Sequence, residues 1–227
     1  MIEPVTPTTG WGVLHLFCRA GPGVEAEAVV AAVKATEAAD HQVVCVALLG
    51  HKAELGFMAL GPDLWVLRRF QAALQGAGLE MAGSYLSLTE VSEYAQAMPE
   101  HAKRARLYPR LPPDGKPAFC FYPMSKRRDS AHNWYALPFA ERKELMAGHG
   151  EVGRTFAGRI VQLITGSAGL DDWEWGVTLF GARVDDLKDV VYTMRFDPAS
   201  AHFAEFGPFV TGLVGDVEEI LAELGVH

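Results

Sequence analysis

The chain has 227 residues, 49% hydrophobic and 21% charged, the composition of a globular protein with a sizeable core. A formal charge of -8 speaks against a general nucleic-acid binder. The N-terminus lacks the basic start and apolar run of a signal peptide, and no apolar stretch reaches the roughly 18 residues of a spanning helix. Three scattered cysteines, Cys18, Cys45 and Cys120, form no CxxC pair, which argues against a zinc knuckle and fits a reducing, cytoplasmic setting.

Residues 10–19 alternate around Val13, His15 and Phe17, predicting a strand. An Ala- and Glu-rich stretch predicts a helix over 24–39. The β-branched run 42–50 and the segment 53–61 read as a hairpin across Gly50. Residues 64–78 read as an amphipathic helix closing at glycines, and 80–94 as the last strand of this half. Residues 97–116 carry four prolines and much of the positive charge, and read as a linker.

The same order then recurs. Residues 117–125 predict a strand, 138–158 a helix, 159–167 and 173–181 a hairpin, and 184–196 a helix. Residues 203–215 predict the last strand, trailed by a short acidic helix. Two β-α-β-β-α-β units predict an α+β fold of two ferredoxin-like halves, 1–96 and 117–227, whose antiparallel sheets face each other. Residues 101–128 hold eight cations against one acid, Asp114. That run is either a solvated loop or a mouth that attracts a small polyanion, and composition does not choose.

Six strings follow one another in the second half: Tyr122-Pro-Met-Ser-Lys-Arg, Asn133-Trp-Tyr, His149-Gly-x-x-Gly-Arg154, Gln162-x-x-Thr-Gly-Ser167, Asp171-Asp-Trp-Glu-Trp-Gly176 and Met194-Arg-Phe-Asp197. Together they closely resemble the coproheme decarboxylases, the haem-synthesis branch of the chlorite-dismutase-like superfamily. The resemblance covers the chain from about Arg106 onward; the first half matches in layout more than in wording. It implies a dimeric α+β barrel, a homopentamer, and a haem site in the second half with no cofactor in the first. It further implies iron coproporphyrin III (coproheme) as substrate and redox centre, hydrogen peroxide as oxidant and haem b as product. Two propionates would become vinyls through a tyrosyl radical. A transient contact with a coproporphyrin ferrochelatase belongs to the same expectation; nucleic acid and membrane insertion do not.

Taken alone, a single helical histidine is more often a packed or surface residue than a ligand. Leu145, His149, Val152 and Phe156, however, form an apolar helical stripe. Gly148, Gly150 and Gly153 flank it at about 1 kcal/mol each relative to alanine. Either the helix frays there or a flat macrocycle presses against it. A haem iron needs one protein ligand, and the resemblance assigns that role to His149.

Tyr122, Met124 and Lys126 share one strand face. The resemblance makes Tyr122 the redox residue, with Met124 beside the porphyrin and Lys126 on a propionate; otherwise Tyr122 fills a barrel interior. The resemblance matches Arg106 and Arg154 to anion-binding positions, arginine suiting a carboxylate through its forked donors, and the Ser200 hydroxyl can donate to another propionate. Gln162 stands where chlorite dismutases place a distal arginine, which argues against chlorite dismutation. Trp173 is the favoured haem neighbour of the pair Trp173 and Trp175, core packing being the alternative. The rival functions are a chlorite-dismutase-like haem peroxidase, a non-catalytic haem-binding protein, and a structural module without cofactor.

Overall fold

The computed structural model describes residues 2–226. In chain order the first half comprises β1 (Gly12–Ala20), α1 (Ala26–Ala38), β2 (Gln42–Leu49), β3 (Leu55–Gly61), α2 (Leu64–Gly76) and β4 (Leu79–Thr89). α3 (Glu100–Leu107) follows. The second half has β5 (Ala118–Lys126), α4 (Phe139–Arg154), β6 (Ile160–Gly166), β7 (Trp175–Gly181), α5 (Val184–Met194), α6 (Pro198–Ala201), β8 (Ala204–Phe206) and β9 (Val210–Val214). α7 (Val217–Glu223) closes the chain.

The strands lie in the order β4-β1-β3-β2 in one half and β9-β5-β7-β6 in the other, the same topology twice. Both seams are antiparallel: β2 joins β9, and β4 joins β6. Eight strands therefore close a barrel, with β8 added along β5 beyond β9. The expected facing sheets are one continuous wall.

Strand alternation explains how one wall serves two cores. Val13, Met58, Leu60, Phe119, Phe121 and Phe180 point into the barrel and pack together. Leu14, Leu16, Phe57, Leu55 and Cys45 point outward against α1, α2 and α7. In the second half Cys120, Tyr122, Val177 and Leu179 point outward against α5 and Phe156. The barrel interior also holds His15, fully buried, its Nε2 3.0 Å from Thr178 Oγ1 and its ring 4.2 Å from that of Phe121. Burial pushes its pKa down to about 3, so this imidazole is neutral at physiological pH.

Local chemistry sets several boundaries. Asp63 caps α2 by accepting from the Trp65 amide, and a positive-φ Gly78 follows the helix end. Three boundaries differ from expectation. The stretch read as a linker contains α3, which starts directly after Pro99. The single last strand is two strands, β8 and β9, interrupted at Gly207 and Pro208. A Cβ at Gly207 would lie 2.6 Å from the Pro123 ring and 2.9 Å from that of Trp173, so the break needs glycine there. The terminal helix α7 crosses to the first half, where Val217, Ile220 and Leu221 bury against α1 and Glu218 pairs with Lys34 at 2.8 Å. Among the described residues no helix is long and apolar enough to cross a membrane.

Candidate haem site

The two halves use their first helices differently. α1 buries Val29, Ala32, Val33 and Thr36 against its sheet. Its counterpart α4, 16 residues long, buries none. The stripe of Leu145, His149 and Val152 is thus left only partly covered along the length of the helix. Its ends are anchored: Leu145 and Met146 pack with Trp134, Ala199 and Phe203, while Phe156, just past the helix, buries beside Tyr122. Between those anchors, a Cβ at Gly148 or Gly153 would meet nothing within 4 Å, and one at Gly150 only the Arg154 guanidinium at 3.6 Å. Among the described residues no packing requires these glycines, and the flank of α4 beside His149 is open.

His149 is oriented within that space. Its Nδ1 lies 2.8 Å from Asp197 Oδ2, and the Asp197 side chain is 1% exposed. A carboxylate can only accept, so Nδ1 is the donor and Nε2 is the nitrogen left to face a metal. Nε2 has no partner among the described residues. The same carboxylate caps α6 by accepting from the Ser200 amide at 3.0 Å, so its position is fixed from two sides. No group of three or more His, Cys, Asp and Glu among the described residues could hold a bare metal ion. A porphyrin iron needs only one protein ligand of the kind His149 offers.

The register across the second sheet defines the face that opposes this helix. Tyr122 pairs with Val177, which pairs with Ile164; Met124 pairs with Trp175; Gln162 pairs with Leu179. All of these point outward. Tyr122 and Gln162 thus share a face two strands apart, on the order of 10 Å. Gln162 is exposed and Ile164 is 41% exposed, so the β6 part of the face is open. Tyr122 is buried, stacked 4.5 Å from Phe209 and edge-on to Phe206 at 5.7 Å. Its hydroxyl has no hydrogen-bond partner among the described residues, and burial holds its pKa well above that of a free phenol. It stays a neutral phenol at neutral pH.

Lys126 ends the same strand face. Its ammonium is buried, donates to Ala199 O at 2.9 Å, and sits 4.1 Å above the Trp134 ring. Burial depresses its pKa to about 8, against the opposing pull of Asp197 and Glu174. Through Ala199 and Asp197, the short helix α6 ties the end of β5 to His149.

The structure therefore gathers His149, Ser200 and Lys126 around α6, and places Tyr122, Met124 and Gln162 on the facing sheet. Other expected residues stand apart. Arg106 is exposed on α3, whose Leu107 carbonyl accepts from Thr89 Oγ1. Arg154 is 71% exposed and reaches Glu151 on its own helix at 3.9 Å. The basic run is dispersed rather than gathered in one mouth: Lys103 pairs with Glu100, Arg128 with Glu174, and Lys116 donates to the Gly158 carbonyl. Trp173 takes the core-packing alternative in this chain. β7 starts at Trp175, so Trp173 lies in the preceding bend and packs on the barrel-interior cluster near Gly207. Trp175 is the one paired beside Met124 on the outward face.

Asp197 closes one of the six strings, but in the sequence Asp-Pro before Ala-Ser-Ala signals only a helix cap, and its contact with His149 is visible only in the structure. Trp134, in the Asn133-Trp-Tyr string, was missed for its contact with Lys126.

Known proteins resemble the chain over most of its length. The chlorite dismutase family model matches residues 24–215. A Natronomonas pharaonis protein named for haem binding is 40% identical over 92% of this chain, which spans only 40% of that longer protein. A coproheme decarboxylase of Thermus thermophilus is 43% identical over 79% of this chain and 74% of its own length. A structure described as that of a haem-binding protein from Thermus thermophilus superposes with a TM-score of 0.85 at 37% identity, covering 98% of this chain and all of that one. With a match to the family model across both halves of the barrel, the chain belongs to the chlorite dismutase family.

Proposed function

We propose that this chain is a haem-site oxidoreductase that uses hydrogen peroxide to decarboxylate two propionates of iron coproporphyrin III, giving haem b. The observation that carries the reading is the opposition of two elements. A helix that buries none of its own side chains presents His149 with Nε2 free, and the sheet beyond carries Tyr122 and a neutral Gln162. The Thermus relative named coproheme decarboxylase supports the substrate class.

His149, held by Asp197, would hold the iron, and the open flank of Gly148, Gly150 and Gly153 would accept the ring. An iron porphyrin with peroxide supplies the oxidising equivalents that no side chain can provide. Each propionate loses carbon dioxide and two hydrogens while one peroxide is reduced to two waters. The phenol Oη of Tyr122 takes a hydrogen atom from the propionate β-carbon, having first given up its own proton and electron. Its lack of a protein hydrogen-bond partner leaves that oxygen free for substrate. Gln162 orients water or peroxide without adding a fixed charge. Met124 would pack on the ring, and Ser200, Lys126 and Arg154 would hold propionates, the first two from the α6 side and the third from α4. Arg106, on α3, would reach a propionate from the linker side. A homopentameric, cytoplasmic assembly and transient contact with a coproporphyrin ferrochelatase complete the reading.

Peroxide consumption tests it. Two peroxides should disappear and two carbon dioxides appear per coproheme, with no oxygen released from chlorite. Binding of coproheme with no carbon dioxide release would instead support a haem carrier.

A further inference from the structure

His132 and His202 take no part in the proposed chemistry, yet the fold brings them face to face. Their rings lie 14° from parallel with centroids 5.5 Å apart. Phe203, itself buried, forms a floor edge-on to both, at 6.0 and 6.1 Å. His202 is exposed and His132 half-buried, so the other side of the pair meets solvent. No nitrogen of either ring is hydrogen-bonded among the described residues, which leaves donor atoms of two imidazoles free at one place.

Backbone contacts hold both histidines. Asp129 Oδ1 accepts from the amides of Ala131 and His132 at 2.8 and 2.7 Å, which fixes the turn that carries His132. A bridge between Arg128 and Asn133 closes that turn, and the Arg127 amide donates to Phe203 O at 2.7 Å, beside His202. His202 ends α6, its own amide donating to Pro198 O at 3.2 Å. The backbone therefore sets the separation of the two rings, and only side-chain rotation remains free.

That separation selects among ions. With a metal–nitrogen bond of about 2.0–2.1 Å, an imidazole centroid lies about 3.2 Å from the ion. Two such rings at a tetrahedral angle have centroids about 5.2 Å apart, while a right-angled pair brings them to about 4.5 Å. The observed 5.5 Å falls on the tetrahedral side. Imidazole ligands favour zinc and its neighbours over calcium or magnesium, which take oxygen. No group of three His, Cys, Asp or Glu forms here among the described residues, so water completes the coordination and the ion exchanges readily.

We propose that His132 and His202 form a two-imidazole zinc site that ties the turn 127–133 to the end of α6. It uses no residue assigned to the haem chemistry and stands independently of that reading.

The test titrates zinc chloride into the purified chain. Calorimetry should show one ion bound per chain, and imidazole nitrogen resonances of His132 and His202 should shift together. Cobalt(II) in place of zinc should give the intense visible absorption of a tetrahedral site. His132→Asn and His202→Asn should each weaken binding at least about tenfold, and the double variant should lose it. His149→Ala should bind zinc as the native chain does, which separates this site from the single imidazole on α4. Zinc at a hundredfold excess over Kd should raise the melting temperature of the native chain by about 5–10 °C, and leave that of the double variant unchanged. Zinc held equally well by the double variant, shifts confined to one ring, or no binding by the native chain would each overturn the site. The resonance shifts are read on the native chain, so the test stands even where a variant folds poorly. No readout depends on decarboxylation, so the zinc site and the proposed activity can each fail alone.

Discussion

Tyr122→Phe is expected to yield a folded protein that still binds iron porphyrin but has lost propionate conversion by at least about a thousandfold, some 4 kcal/mol of barrier. The phenyl ring keeps the contacts the phenol makes, stacked on Phe209 at 4.5 Å and against Phe206. The hydroxyl leaves no partner unsatisfied, so stability should change by less than about 1 kcal/mol. What disappears is a phenol oxygen able to lose an electron and a proton together. Product analysis after peroxide addition reads the loss, and the Soret band reads the binding. Residual turnover within tenfold of native would remove Tyr122 from the chemistry. Loss of binding would show that its role is packing.

His149→Ala should weaken porphyrin binding at least about a hundredfold, near 2.7 kcal/mol, and remove the spectral signature of an imidazole ligand. Free imidazole should restore that signature, because the space it needs is the space the side chain vacates. Asp197→Asn should weaken iron binding by about ten- to a hundredfold, the usual effect of losing a carboxylate behind a ligating imidazole. The Asn carbonyl can still accept from the Ser200 amide, so α6 should survive. Asp197→Ala removes the cap as well, at about 1 kcal/mol of stability. Unchanged Soret titrations in both His149→Ala and Asp197→Asn would place the iron ligand elsewhere.

Both expectations depend on features that the sequence reveals unequally. Periodicity is local, so most of the two element series reads directly from the chain, and so does the shared face of Tyr122 and Met124. Closure of the barrel is not local. It depends on seams such as Ala47 with Leu213 and Leu88 with Gly166, partners far apart in sequence that no periodic pattern announces. The break between β8 and β9 is written in the chain as Gly207-Pro208, but an apolar run on either side makes it read as one strand. α3 is hidden by the opposite effect, since the prolines around it and its many cations resemble a loop.

The site shows the same division. His149 stands out because its glycines are costly in a helix, and the structure gives that cost a setting in open space beside Gly148 and Gly153. Asp197 does not stand out, because an acid before proline already has a sufficient explanation as a cap. Its second role depends on α4 and α6 meeting in space, as does the seat of Lys126 over Trp134. Trp173 and Trp175 are separated only by where β7 starts, a boundary of two residues that decides which indole faces outward.

The most direct measurement is mass spectrometry of coproheme after incubation with the native chain and hydrogen peroxide. Two successive losses of about 46 Da, each carbon dioxide with two hydrogens, are expected from propionate-to-vinyl conversion. A porphyrin that remains bound through His149 and emerges with its mass unchanged would contradict the proposed reaction.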